Sequence, residues 1–260
     1  MEEEKKTNSN KGSETAIKSV KIGNQEWMSE NLNVDHFRNG DIIPEVKSKE
    51  DWKEAGKNGQ PAWCYYENDP KNGEKYGKFY NWYAVNDPRG LAPEGWHIPS
   101  DSEWTEMINF LDADNNPEPQ DEVCQSGERA EQSKIAGGML KYTGSDGDDT
   151  YINHPNRASA DITNVREGLW NSPNTGATNE TGFSALPGGE RSVSGKDNYI
   201  SFQTSFWSST ELKEEEKTNI ESWYKDDPIA WYWTIGYSRA AISRGILNQG
   251  CGVNVRCVKD

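Results

Sequence analysis

Apolar residues recur with the period of a helix most clearly after Pro99. Ser100 and Glu103 form an S-x-x-E capping box, and an apolar helix face follows at Trp104, Met107, Ile108 and Leu111. The pattern therefore predicts a helix that begins at Ser100. Aromatic residues at helical spacing predict a short buried helix over residues 76–85, and a weaker pattern predicts another over residues 128–139.

Alternation typical of strands marks both ends of the chain. Val20 and Ile22 alternate with polar residues before a Gly23-Asn24 turn, which predicts a hairpin with residues 25–28. In the last third of the chain we predict strands over residues 205–209, 229–237, 240–246 and 252–258. Stretches rich in Gly, Asn, Asp and Ser separate these elements, so we expect long loops.

The beginning of the chain is charged and polar, without any apolar periodicity. We predict that residues 1–16 are a disordered linker after a removed signal or a lipid anchor. Neither a repeat nor a shift in composition divides the rest of the sequence, so we predict one domain over residues 17–260.

Composition changes the expectation for the core. The 260 residues include 28 basic and 43 acidic ones, a net charge of −15, and only 32% are hydrophobic, which is typical of disordered chains. Eleven Trp and eleven Tyr offset this deficit, because each ring can bury as much apolar area as an aliphatic side chain. We therefore expect a folded domain with an aromatic core. The acidic balance argues against nucleic acid as a partner, and no apolar stretch is long enough to span a bilayer.

The chain has four cysteines, at Cys64, Cys124, Cys251 and Cys257. Their spacing does not match a zinc site, since only the last two are close together and no histidine lies near them in the sequence. An even number of cysteines in a loop-rich chain is typical of disulfides in an oxidising compartment. Free buried thiols are the alternative.

Six blocks of the sequence follow one another in the order of a known family. They cover residues 20–33, 76–84, 91–104, 178–189, 206–210 and 255–258. Together they resemble the Fibrobacter succinogenes major paralogous domain, a family of secreted or lipid-anchored bacterial surface modules. The layout is also similar to the C-type-lectin-like fold, which the formylglycine-generating enzymes share.

The resemblance implies an α+β fold of the C-type-lectin-like kind, with two short helices, small twisted antiparallel sheets and long loops. It also implies an extracellular location, either secreted or on the cell surface. Since Cys64 and Cys257 lie in or near the shared blocks, the resemblance suggests that they pair, which leaves Cys124 with Cys251. A bond between Cys251 and Cys257 is the rival.

The resemblance does not extend to the catalytic cysteines of the formylglycine-generating enzymes. Residues 237–244 contain no cysteine, and Cys257 matches only the structural cysteine of the closing strand. A nucleophile elbow around Ser184 fails at Leu186. We expect His97 to be buried and bonded to the backbone, so no catalytic residue is assigned.

Two oxygen-rich loops are candidates for a calcium site. One contains Asp146 and Asp148, and the other contains Asn179 and Glu180. C-type-lectin-like domains often bind calcium near the second loop, so the resemblance favours it there. Neither loop has the spacing of an EF-hand, and a solvated acidic turn is the alternative for the first.

Exposed aromatic rings stack on sugar faces, and Asn, Asp, Glu and Arg bind sugar hydroxyls. Candidate rings are Trp231 and Trp233 in a predicted strand and, in loop-like segments, Trp52, Trp63, Trp170 and Trp223. We predict a non-catalytic bacterial cell-surface module that binds a glycan or a partner protein through aromatic-rich loops. A glycan-active enzyme on the same fold and a purely structural adhesin component are the alternatives.

Overall fold

The computed structural model describes residues 17–114, 129–144, 170–213 and 226–260. Its strands are β1 (Ser19–Ile22), β2 (Gln25–Met28), β3 (Trp63–Cys64), β4 (Phe79–Tyr80), β5 (Trp96–His97), β6 (Ala130–Ser133), β7 (Glu190–Arg191), β8 (Asp197–Asn198), β9 (Gln203–Glu211), β10 (Ile229–Gly236), β11 (Ile242–Asn248) and β12 (Val258–Lys259). Its helices are α1 (Lys49–Lys57), α2 (Pro70–Tyr76), α3 (Trp82–Val85), α4 (Asp101–Leu111) and α5 (Ala136–Leu140). The predicted linker over residues 1–16 lies outside the described residues.

Two four-stranded sheets and two short strand pairs form the β structure of the described residues. One sheet has the order β1-β2-β12-β5, so the closing strand of the chain lies against the first hairpin. The other has the order β6-β11-β10-β9 and contains the longest strands. The pairs β3-β4 and β7-β8 are antiparallel, like the ladders of both larger sheets. The fold is α+β, as predicted.

The helix at Ser100 and the first hairpin are confirmed. Ser100 accepts the backbone N–H of Glu103, and the Glu103 side chain accepts the backbone N–H of Ser100, which is the capping box expected for α4. Trp104, Met107 and Ile108 are buried on its inner face. β1 and β2 pair through the predicted turn, and β9, β10 and β11 correspond to the first three of the four strands predicted in the last third.

Three predictions of local structure are wrong. Residues 76–85 are not one helix, because Gly77 ends α2 with φ +72° and Asn81 caps a separate α3 after β4. In the region over 128–139, β6 pairs with β11 before α5 begins. Only the end of the 252–258 stretch forms a ladder, since Gly252, Val253 and Asn254 each bridge to a different neighbour. The described residues thus contain five α-helices rather than two.

Aromatic rings form the core, as the composition predicts. Trp27 and Trp104 lie 4.8 Å apart between ring centroids, and Trp104 stacks on Trp233 at 5.9 Å. Phe183 and Phe206 pack against the same Trp104 ring. These rings join α4, β2 and the sheet that contains β9 and β10 in one cluster. Among the helices of the described residues, none combines the length and the apolar character needed to cross a bilayer.

Candidate functional site

The tryptophans predicted to be exposed are buried wherever the structure describes them. Trp52, Trp63, Trp170, Trp231 and Trp233 are each at most 6% exposed. The loops fold back onto the sheets, so backbone carbonyls accept the indole N–H groups, as Ala185 does for Trp170 and Ile43 for Trp63. The guanidinium of Arg244 covers the Trp231 ring at 3.6 Å. The prediction of exposed rings is therefore wrong for these five, and Trp223 lies outside the described residues.

The predicted disulfide between Cys64 and Cys257 is absent from the described residues, and so is its rival between Cys251 and Cys257. Cys64, Cys251 and Cys257 are free and buried. They pack among apolar side chains of two different core clusters and replace small hydrophobic residues there. Burial raises the pKa of Cys257 to about 12, so its thiol stays protonated. Cys124 lies outside the described residues.

The described part of the calcium prediction concerns Asn179 and Glu180. The Asn179 side-chain oxygen accepts the backbone N–H of Ser184 at 2.9 Å, so it closes a turn of its own loop. Glu180 is exposed. Asp146 and Asp148 lie outside the described residues, and within those residues no group of three His, Cys, Asp or Glu side chains converges as metal ligands would. Calcium binding stays a prediction.

His97 is not bonded to the backbone, contrary to expectation. It lies half-exposed between two carboxylates, with Nε2 2.6 Å from Glu103 Oε1 and Nδ1 2.8 Å from Asp260 Oδ1. The other oxygen of Glu103 accepts from the backbone N–H and the hydroxyl of Ser100. Both ring nitrogens are thus engaged, and the arrangement fastens the last residue of the chain to the beginning of α4.

A groove of about 520 Å³ opens where the segment after β2, α2, the 182–186 loop and the end of the chain meet. Its volume lies within the range of roughly 300–1,000 Å³ that is usual for small-molecule sites. The residues that line it are mostly polar or glycine: Lys18, Val20, Ser29, Glu30, Asn31, Asn33, Gly73, Glu74, Lys75, Gly77, Tyr142, Gly182, Ser184, Leu186 and Arg256.

Two asparagines after β2 are held in fixed orientations by α2 and the residues that follow it. Asn31 donates its amide N–H to the Tyr76 carbonyl at 2.8 Å, and Asn33 donates to the Gly73 carbonyl at 3.1 Å. The ammonium of Lys78 donates to the Asn33 side-chain oxygen at 2.8 Å. These contacts make one wall of the groove rigid before any ligand arrives.

Close packing at Gly77 is what brings α2 to this wall. A Cβ atom at Gly77 would lie 2.9 Å from both Asn31 Cβ and the Leu32 carbonyl oxygen, and the backbone there has φ +72°. Only glycine combines this approach with this backbone conformation at low cost. The glycine therefore ends the helix and shapes the groove at once.

Arg256 is the most deeply buried charged group of the groove, at 1% exposure. Its Nη1 donates to the carbonyls of Met28 at 2.9 Å and Phe183 at 2.6 Å. Its Nε donates to Asn31 Oδ1 at 2.6 Å, and Nη2 donates to the Ser184 carbonyl at 3.2 Å. Burial lowers the pKa of Arg256 to about 9, so the guanidinium still carries its charge at pH 7.

The rim of the groove carries charges of both signs. Lys18 and Glu30 form an exposed ion pair at 2.6 Å, while Glu74 and Lys75 are exposed on α2. The half-buried Tyr142 is the aromatic side chain among the lining residues. The groove thus offers hydroxyls, amides, both kinds of charge and one ring.

Sequence reasoning missed this groove, although most of its lining residues lie in the blocks that carry the family resemblance. The blocks over residues 20–33, 76–84, 178–189 and 255–258 each contribute to it. The signal available in the sequence was that these four blocks all belong to the resemblance. Periodicity describes each segment separately, so it does not show that distant segments meet. The search for exposed tryptophans pointed to the core instead.

The family model described as Fibrobacter succinogenes major domain matches residues 20–259. Neither the curated proteins nor the solved structures include a match to the chain.

Proposed function

The chain belongs to the Fibrobacter succinogenes major domain family, and from that premise we propose that it is a non-catalytic recognition module that binds a glycan in the groove beside Arg256. The observation that carries the proposal is the groove itself, a concave and mostly polar site whose wall is fixed by internal hydrogen bonds. Rigid polar sites lose little conformational entropy when a ligand binds.

The chemistry of the lining suits a sugar. Sugar hydroxyls need donors and acceptors at short spacing, and Ser29, Glu30 and Glu74 provide them among the lining residues. The Tyr142 ring offers a face on which a pyranose can stack.

A glycan hydrolase is the rival function, because Glu30 and Glu74 both line the groove and hydrolysis uses two carboxyl groups. A general acid needs a pKa near neutrality, which enzymes obtain by burying the carboxyl group. Glu30 is 64% exposed and paired with Lys18, and Glu74 is exposed. His97 does not line the groove, and its nitrogens are already bonded. These facts favour binding over turnover.

The proposal includes a location at the bacterial cell surface, either secreted or held by a lipid anchor, where a glycan ligand would be met. It leaves calcium as an optional structural ion. Both follow from the resemblance of the sequence blocks, and the experiment below includes a chelator for the second.

A glycan array with the purified chain tests the proposal, run with and without EDTA. We expect selective binding that Tyr142→Ala weakens roughly tenfold, because the stacking face is lost. Tyr199→Ala is the matched control, since Tyr199 is 52% exposed and does not line the groove. Binding lost in the Tyr199 variant instead would place the site elsewhere, and release of shorter glycans during incubation would identify a hydrolase.

A further inference from the structure

We propose that the groove selects acidic glycans, with a carboxylate or sulfate of the sugar placed against Arg256. The inference rests on the proposed function and adds the class of ligand.

Among the described residues, every hydrogen-bond acceptor of Arg256 is neutral. They are the carbonyls of Met28, Phe183 and Ser184 and the amide oxygen of Asn31. Within the described residues no carboxylate lies at ion-pair distance from this guanidinium; Glu30 acts on it only from farther away and is paired with Lys18. A buried charge without a counter-ion is costly, so an anion that reaches it gains more than it would at the surface.

One edge of the guanidinium faces the groove. The two acceptors of Nη1, Met28 and Phe183, belong to the interior, whereas Asn31 and Ser184, which accept from Nε and Nη2, are lining residues. A guanidinium has five N–H donors, of which two are on Nη2. The described residues provide an acceptor for four of them, and the second N–H of Nη2, on the edge that bonds the lining residues, has no acceptor among them.

A second buried cation shows what a completed site looks like. Lys141 is fully buried and donates to the carbonyls of Thr175, Gly236 and Arg239, which uses all three of its N–H groups. It needs no external anion. Arg256 differs from Lys141 in having a donor to spare and in lining an open groove.

Local charge also favours an anion, although the chain as a whole has a net charge of −15. The lining residues include three cations, Lys18, Lys75 and Arg256, and two carboxylates, Glu30 and Glu74. Salt screens distant charges beyond about 8 Å at physiological ionic strength, so a ligand in the groove responds mainly to these five groups and to Lys78, whose ammonium bonds the lining residue Asn33. Contact with a buried cation is the least screened of these interactions.

The test compares one sugar chain in two charge states. Oligogalacturonate and the same oligosaccharide with its carboxyl groups methyl-esterified are titrated into the protein by calorimetry, with a sulfated galactan oligosaccharide as a further arm. We expect the free acid or the sulfated chain to bind roughly tenfold more tightly than the methyl ester. Equal affinity for the acid, the sulfated chain and the ester overturns the inference and leaves the proposed function intact. Absence of binding to every glycan overturns both.

Asn31→Asp is the variant that isolates Arg256. Asn31 Oδ1 is 2.6 Å from Arg256 Nε, so this isosteric change supplies the missing counter-ion from inside. We expect it to abolish the preference for the acidic sugar, measured as the ratio of the affinities for the acid and the ester. Asn33→Asp is the matched control, because it adds the same charge to the same groove at a side chain bonded to Lys78 rather than to Arg256. An equal loss of preference in both variants would show general repulsion and overturn the role of Arg256.

Discussion

The regions around Arg191 and Arg256 each enclose a guanidinium that is 1% exposed, but they treat its charge differently. Arg191 forms a bidentate ion pair with Asp197, with contacts of 2.7 and 2.9 Å. Burial alone would lower the pKa of Arg191, yet the hydrogen bonds to Asp197 raise it above its ordinary value. Arg256 meets neutral acceptors instead, and burial lowers its pKa.

Aromatic packing does not explain the difference between the two regions. The Arg191 guanidinium lies 5.3 Å from the Trp52 ring centroid, and that of Arg256 lies 4.4 Å from Phe183. Both cations therefore gain from a ring face. What separates them is a counter-ion supplied by the chain at Arg191 and an open groove at Arg256. Arg191 thus has its counter-ion within the fold, whereas Arg256 has neither a counter-ion nor an acceptor for its last N–H, and we expect it to be available to a ligand.

Asp197→Asn removes the counter-ion of Arg191, and we expect it to lower the unfolding free energy more than any other change considered below. The change leaves Arg191 buried beside a neutral acceptor, and loss of one partner of a buried pair costs about 3 kcal/mol of unfolding free energy. Chemical denaturation at pH 7 measures the loss. Asp114→Asn is the control, because Asp114 is exposed. Equal small losses in both variants would show that Arg191 does not depend on its counter-ion.

Gly77→Ala probes the packing that makes the Arg256 region open. The new Cβ would lie 2.9 Å from Asn31 Cβ, in addition to the strain of a positive φ. We expect a loss of about 2 kcal/mol and weaker glycan binding, since the wall that holds Asn31 must shift. Gly95→Ala is the matched control: its φ is +77°, but an added Cβ meets no atom within 4 Å. Equal losses of unfolding free energy in the Gly77 and Gly95 variants would show that backbone strain, and not the contact with Asn31, causes the effect.

Much of the fold could be predicted from local pattern, because its signals lie close together in the sequence. The capping box of Ser100 and Glu103 sits beside the apolar face it begins, and the Gly23-Asn24 turn joins the two strands it pairs. The stretch over 252–258 differs from the prediction of one strand. Its apolar and polar side chains alternate, but all of them are buried, and its backbone bonds to several different segments.

The site could not be predicted, since its parts are joined only in three dimensions. Asn31 and Arg256 are 225 positions apart and meet at 2.6 Å. A tryptophan in a polar stretch suggests exposure, but the carbonyls of the folded loops accept its N–H and permit burial, as at Trp63 and Trp170. The sequence gives the number of aromatic rings, but it does not show which backbone carbonyls will accept their N–H groups in the folded chain.

Asn31→Asp is the reverse of the Asp197 change, because it gives Arg256 the counter-ion that Arg191 already has. The variant gains an ion pair and loses the N–H donated to the Tyr76 carbonyl. These terms oppose each other, so we expect the unfolding free energy to change by less than about 1 kcal/mol. Denaturation in parallel with Asp197→Asn checks this. A loss as large as that of the Asp197 variant would contradict the view that Arg256 lacks a counter-ion.

The half-exposed His97 is a third cation site, in contact with water, and we expect the smallest effect there. Burial alone would lower the pKa of His97, but the bonds to Glu103 and Asp260 raise it above its ordinary value of 6.5. The contact therefore stabilises the fold fully below about pH 6.5, and this stabilisation is lost as the pH rises through the pKa of the folded state. His97→Gln should therefore lower the unfolding free energy at pH 5.5 more than at pH 8.5, by about 1 kcal/mol or less, because exposed ion pairs contribute little. His36→Gln is the control, since His36 bonds its sequence neighbour Asp35, a contact that the unfolded chain can keep. A His97 effect that does not vary with pH would mean that packing, and not charge, holds the last residue against α4.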